Sequence, residues 1–141
     1  MNSQNLFVYG TLQSDAINEN AKLLHSQARL LGKARWQGSL YLVSNYPAAV
    51  VSGDIQQWVA GELWQLNDPQ KTLDALDIYE ECAVNSPLPH EYERSIESIE
   101  INGEMMMAWI YLYQLNTDKL ERIDSGIFVN PNQALVRRNQ T

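Results

Sequence analysis

The dipeptide Asn102-Gly103 stands between two long β-prone segments, Glu91–Ile101 and Met105–Tyr113. Both central residues of a tight type I′ hairpin turn need positive φ, and Asn-Gly meets that need at low cost. The second arm, MMMAWIYLY, is apolar on both faces, as a central strand covered on both sides would be. Such a strand needs neighbours. Leu6–Leu12 (LFVYGTL) reads as a first strand, and Ala34–Val43 as another, with Trp36, Leu40 and Leu42 at even spacing. Ala48–Ser52 is a short apolar piece after a Tyr46-Pro47 turn, and Gly53-Asp54 marks a hairpin-like turn. Val59–Leu66 follows, with Trp58, Ala60, Glu62 and Trp64 on one face.

Two segments carry a helical period. From Asp15 to Leu31, the residues Ile17, Ala21, Leu24, Ala28 and Leu31 recur at helical spacing, with Ser14 or Asp15 as cap and Gly32 as stop. In NDPQKTLDALDIYEE, Asn67 or Asp68 can cap, and Pro69 fits the first turn, where a missing N–H costs nothing. Leu73, Leu76 and Ile78 then form an apolar stripe, and Asp118–Ile123 reads as one more helical turn. Short strands with two helices between them predict an α+β fold. So many strands in so short a chain suit a small barrel, although pattern alone does not show closure.

The 141 residues suit a single domain, with a core over about 5–128 and a tail over 129–141 in which Arg137–Thr141 reads as frayed. A formal net charge of −7 opposes nonspecific binding to nucleic acid or an anionic membrane, which need a basic footprint. It leaves open a small anionic substrate, which answers only to its local site. One cysteine, Cys82, excludes an intramolecular disulfide framework and fits a reducing compartment. No basic start followed by an apolar run opens the chain, and no apolar stretch approaches the roughly 18 residues of a membrane span. The expectation is a cytoplasmic protein.

Glu80 ends the second helical segment, in LDIYEE. Spacing alone makes it a solvated glutamate at a helix end, yet the dipole disfavours an anion there, and the residue borders the apolar side. Glu81 is turned by roughly 100° from it, so the two do not face each other as a glycosidase pair would. Tyr92 and Arg94 share one strand face. Arg94 could bind a carboxylate bidentately or pair with Glu80, Glu81 or a strand glutamate. Tyr92 reads as a core ring, or as a pocket residue. Cys82 and His90 permit a thiol-hydrolase reading, against which stand an inert buried cysteine and an exposed histidine. No zinc-ligand spacing, P-loop or dinucleotide fingerprint is present, so neither metal nor cofactor is expected.

Taken in order, VYGTL, the Tyr-Pro pair, LDIYE, YER and a late Ser-Gly resemble the γ-glutamylcyclotransferase-like family, over roughly Leu6 to Phe128. Its small members, the γ-glutamylamine and butirosin-pathway cyclotransferases, are the most similar. The resemblance implies a compact mixed β-barrel with flanking helices. It implies that the backbone amides of Tyr9, Gly10, Thr11 and Leu12 receive a γ-glutamyl group and that Glu80 is the acid/base. Tyr46, Tyr92 and Arg94 fall at matching positions near the pocket, and Gly126 at the late glycine. Where the family usually has glycine after the glutamate, this chain has Glu81. Ile127-Phe128 stand for Asp-Trp, and Gln13-Ser14 follow YGTL. The reaction implied is cyclisation of a γ-glutamyl amine or amide to 5-oxoproline, with release of the amine and without a cofactor. A binding protein that holds a small carboxylate in the same pocket without turnover is the alternative. The amine half of the substrate and the choice between monomer and homodimer are not encoded legibly.

Overall fold

The computed structural model describes residues 3–130. Its elements are β1 (Asn5–Val8), α1 (Glu19–Ser26), β2 (Ala28–Gln37), β3 (Ser39–Val43), β4 (Tyr46–Val50), β5 (Trp58–Leu66), α2 (Pro69–Tyr79), β6 (Tyr92–Ile101), β7 (Glu104–Tyr113) and β8 (Glu121–Arg122). Five strands close into a barrel in the order β1-β5-β2-β6-β7, and a second, three-stranded sheet runs β4-β3-β8. The barrel is mixed because β1 meets β7 in parallel, Leu6 beside Trp109, whereas the other pairings are antiparallel. The fold is therefore α+β, with the closure that pattern alone left open.

Alternation along the strands builds two apolar layers. Phe7, Ala34, Trp36, Val59, Leu63, Ile99, Ile101, Ala108 and Ile110 come from all five barrel strands and fill the interior. Leu6, Val8, Trp64, Leu66, Tyr92 and Tyr111 point the other way and meet Ala21 and Leu24 of α1 and Leu73 and Leu76 of α2. Both faces of β7 are covered only from Ala108 to Tyr113; Met105 and Met107 are exposed, so the apolar start of the strand is not explained by burial. The β6–β7 hairpin runs in register from Tyr92 opposite Tyr113 to Ile101 opposite Glu104, with Asn102 at φ 52° and Gly103 at φ 80°.

Several local expectations are corrected. The helical spacing from Asp15 to Leu31 ends at Ser26, and Asn18 caps it by accepting from the Ala21 N–H at 2.8 Å. Ala28–Leu31 belong to β2 instead, where Ala28 pairs with Leu66 and Gly32 sits at a bulge with φ 145°. Tertiary strand pairing outcompetes a helical spacing whose first member, Ile17, is exposed. The even spacing over Ala34–Val43 spans two strands broken at Gly38. Tyr46-Pro47 lies within β4, and the turn is Ser44-Asn45, with Ser44 at φ 56°. Gly53-Asp54 joins strands of different sheets, so no hairpin forms there. Asp118–Ile123 is a turn followed by β8, which pairs with β3. Residues 131–141 of the expected tail lie outside the described residues. No helix among the described residues is long and apolar enough to cross a membrane.

Helix α2 begins as its sequence predicts: Asp68 accepts from the Lys71 N–H at 3.2 Å, and Pro69 occupies the first turn. Leu73 and Leu76 are buried, while Ile78 is exposed and Tyr79 packs inward in its place. The helix closes by a double backbone bond, Cys82 N–H to Asp77 C=O at 2.9 Å and Glu81 N–H to Ile78 C=O at 3.1 Å. This closure needs a left-handed residue, usually glycine, and here Glu81 supplies it at φ 58°. A side chain in that conformation costs about 1 kcal/mol. Glu81→Gly is accordingly expected to stabilise the protein by about 1 kcal/mol, read as a raised urea midpoint with an unchanged m-value; an unchanged or lower midpoint would remove this account.

Candidate active site

Residues 10–12 follow β1 after Tyr9, and their carbonyls are all taken by protein donors. The Gly10 carbonyl accepts from the Gln13 N–H at 3.2 Å and from Asn130 Nδ2 at 3.2 Å. The Thr11 carbonyl accepts from Asn18 Nδ2 at 2.6 Å, and the Leu12 carbonyl from His25 Nε2 at 3.0 Å. The N–H groups of Gly10, Thr11 and Leu12 donate to no protein acceptor among the described residues. All three residues line a cavity of about 410 Å³, and their N–H groups are left available as donors to a ligand there. Just beyond, Glu62 anchors the chain by accepting from the Ser14 N–H at 2.7 Å, the Ser14 hydroxyl and Trp64 Nε1. Gly10 is required by packing. A Cβ there would stand 2.5 Å from Pro47 Cγ, so the glycine lets β4 press against the bend.

The facing wall is the end of α2. Thr11 Oγ1 and the Tyr79 hydroxyl share a hydrogen bond of 3.0 Å, which ties the bend to the residue before Glu80. The Glu80 carboxyl lines the cavity and has no hydrogen-bond or ion-pair partner among the described residues. Burial, followed by the charges of Glu91 and Asp77, pushes it from the ordinary 4.5 up to about 7. A carboxyl in that range can both take and return a proton near neutral pH.

The other anticipated residues divide. The Tyr9 ring is buried, its hydroxyl donating to the Tyr111 carbonyl at 2.6 Å and accepting from the Ala49 N–H at 3.3 Å. Tyr92 lines the cavity and donates to the Pro47 carbonyl at 2.6 Å; Tyr46 lines it and donates to Glu91 at 2.5 Å. Burial drives all three phenols upward, so they act as fixed neutral donors. Arg94 does not reach the cavity. Its Nε and Nη2 grip Asp77 at 2.9 and 3.0 Å, and its guanidinium stacks 4.1 Å from the Trp109 ring centroid. The ion pair expected of it forms with Asp77, which none of the anticipated partners included. Asp77 also accepts from the Tyr111 hydroxyl at 2.7 Å, so Arg94 acts on the cavity wall only through that chain of contacts. Gly126 is buried at the start of β5, where its carbonyl accepts from the Ala60 N–H, and lies off the cavity.

Asn18, His25, Glu62, Asn130 and Asp77 were invisible as site residues. Only their tertiary partners reveal them, although Asn18 carries an N-cap signal. Cys82 and His90 are separately engaged: the thiol faces Asp77 at 3.9 Å, and burial lifts it to about 12, while His90 Nδ1 meets Glu93. A thiol so raised is a poor nucleophile. Among the described residues, no group of three or more His, Cys, Asp and Glu side chains is arranged to hold a metal ion.

Residues 6–130 match the family model described as "Gamma-glutamyl cyclotransferase, AIG2-like". The chain belongs to this family. Its members are generally cyclotransferase enzymes. Solved structures carry the same fold. YkqA from Bacillus subtilis shares 22% identity over 96% of this chain, with a TM-score of 0.68, and this chain spans 42% of that protein. An AIG2-like protein from Mus musculus shares 20% identity, with 91% of this chain and 95% of that one covered and a TM-score of 0.65. Protein ytfP from Escherichia coli shares 28% identity, with 91% and 98% covered and a TM-score of 0.62. No curated protein matches the sequence significantly.

For an AIG2-like chain the glutamate after LDIY is the residue to test, and its raised pKa sets the sign of the test. Between about pH 4.5 and 7 the unfolded chain ionises Glu80 while the folded protein keeps it protonated. Stability from this group is therefore greatest at low pH and falls as pH rises through that window. Glu80→Gln removes the penalty. The variant is expected to be more stable than the parent at pH 8 by on the order of 1–3 kcal/mol, with the gap closing below about pH 4.5. Denaturant melts at both pH values check this; a gap that is absent at pH 8 or persists in acid contradicts it.

Proposed function

We propose that the protein is a γ-glutamyl cyclotransferase that converts a γ-glutamyl amine or amide to 5-oxoproline and the free amine. The observation that carries this reading is the presence around one cavity of a partly buried Glu80 carboxyl, without a hydrogen-bond or ion-pair partner among the described residues, and three backbone N–H groups that no protein acceptor among those residues takes. A γ-glutamyl amide brings its own nucleophile. The α-ammonium gives a proton to ionised Glu80, and the freed amine attacks the γ-carbonyl carbon. The new C–N bond closes a five-membered ring, while the carbonyl oxygen becomes an oxyanion. Glu80 then returns the proton to the departing nitrogen, the old amide C–N bond breaks as the carbonyl reforms, and the ring nitrogen's second proton passes to the released amine, which departs as an ammonium. Holding attacking nitrogen and carbonyl together removes an entropic barrier that reaches about 7–11 kcal/mol in well-oriented cases.

The N–H groups of Gly10–Leu12 are suited to the substrate α-carboxylate or to the oxyanion, where a fixed donor is worth most. The cavity volume, about 410 Å³, accommodates a glutamyl group with part of its amide partner. Glu81 does not count against the reading. It adopts the left-handed conformation that glycine takes most readily, so the helix closes behind Glu80 without a glycine.

Glu80→Gln is expected to keep the far-UV circular dichroism of the parent and to lose at least ~10²-fold in 5-oxoproline release. The parent's kcat/KM is expected to rise with pH through about 7, the range in which Glu80 becomes a base. A folded Glu80→Gln protein with full turnover would end the proposal. So would thermal stabilisation by γ-glutamyl amines without product, which would identify the protein as a binder.

A further inference from the structure

Arg94 stands behind the cavity rather than in it, and its partner there lies on the helix that delivers Glu80. Asp77 precedes Glu80 by three residues, and α2 keeps helical geometry up to its cap: the Glu80 N–H donates to the Leu76 carbonyl at 2.8 Å. Side chains three apart on a helix are neighbours, about 5–6 Å between Cβ atoms. Three donors converge on Asp77. Arg94 Nε and Nη2 reach its two oxygens at 2.9 and 3.0 Å, and the hydroxyl of Tyr111, itself a cavity-lining residue, reaches Oδ1 at 2.7 Å. The pair is mostly shielded, with the Arg94 and Asp77 side chains 21% and 16% exposed and the guanidinium packed 4.1 Å from the Trp109 ring centroid.

We infer that Asp77 and Arg94 are positioning residues that act as one balanced charge pair: Arg94 offsets a carboxylate that would otherwise repel ionised Glu80, and so keeps Glu80 usable as a base near neutral pH. The bidentate fork fixes the offset in place, which a loose surface pair would not do. The other titratable groups facing Glu80 are Glu81 and Cys82 just after it, Glu91 ahead of β6, and the phenols of Tyr9, Tyr92 and Tyr111. Burial keeps the thiol and the phenols neutral. Glu91 accepts from the neutral Tyr46 hydroxyl, and neither it nor Glu81 forms an ion pair among the described residues. Asp77 is thus the carboxylate beside Glu80 whose charge a cation answers. The consequence for rate rests on the cyclotransferase reading; the consequence for the titration of Glu80 does not.

The two members of the pair carry opposite signs, so a charge role and a purely structural one separate. Protein labelled with carboxyl-13C glutamate reports the Glu80 titration by NMR without substrate, its signal assigned by loss in Glu80→Gln. The parent midpoint is expected at about 7. Asp77→Asn is expected to lower it by about one pH unit. Arg94→Gln is expected to raise it by a smaller step, because the guanidinium lies beyond Asp77, and Arg94→Lys, which keeps the charge, to restore it. The rise of kcat/KM with pH is expected to move with each midpoint. A structural brace would instead lower the plateau of that profile and leave its position alone. Midpoints that stay put, or move the same way in Asp77→Asn and Arg94→Gln, would overturn the pair. Asp77→Asn is isosteric, and its midpoint alone decides the case where Arg94→Gln does not fold. Opposite shifts without 5-oxoproline from any of these proteins would support the pair and sink the reaction; turnover with unmoved midpoints would do the reverse.

Discussion

One short parallel contact closes this molecule. Leu6 of β1 lies beside Trp109 of β7, and without that pairing the five strands would form an open sheet with two bare edges. Side chains reinforce the seam: Ser3 Oγ and Asn5 Nδ2 reach the Met107 carbonyl, and Trp109 Nε1 donates to the Ser3 carbonyl. Closure brings together elements far apart in the chain. It sets the exit of β1 next to Tyr111 and Tyr92, more than eighty residues away, and leaves the outer face of those strands for α2 to cover. The cavity forms where these three meet.

The bend after β1 works by satisfying one half of each peptide and not the other. Polar backbone groups normally find partners, so three successive N–H groups without a protein acceptor beside a cavity are a feature that the rest of the structure has to sustain. Asn18, His25 and Asn130 sustain it by occupying the carbonyls behind the row. Pro47 fixes the bend from the front, at a distance that only glycine permits. On the opposite wall, α2 delivers Glu80 from its C-terminal end, where the peptide dipole works against a negative charge in the same sense as burial. Unpaired donors and a raised carboxyl around one hollow are what the proposed reaction asks of its site.

Much of this was legible because it is local. Asn102-Gly103 marks its hairpin through the φ values that both residues adopt. Asp68-Pro69 marks the start of α2 through a side-chain acceptor and a dispensable N–H, and the even spacing over Val59–Leu66 marks two faces of β5 that are both used. The legible part of the site is equally local: a glycine bend at a strand exit and a glutamate on the apolar border of a helix end. Where longer-range competition decides, local reading failed. Ala28 and Leu31 fit a helix by spacing but are taken into β2 by pairing with β5. Tyr46-Pro47 looks like a turn but lies in a strand because Ser44 accepts the left-handed conformation instead.

The sequence by itself determined the β6–β7 hairpin, the start of α2 and the placement of a glycine bend after the first strand and of Glu80 at a helix end, because each depends on backbone preferences spanning a few residues. Only the tertiary structure decided that the strands close, that Arg94 serves Asp77, and that Asn18, His25 and Asn130 hold the bend. It alone also decided that Glu80, Glu81 and Glu91 line one cavity with no cation beside them among the described residues. Those outcomes depend on which distant surfaces come within hydrogen-bond or Coulomb range, and no short stretch of chain carries that distance.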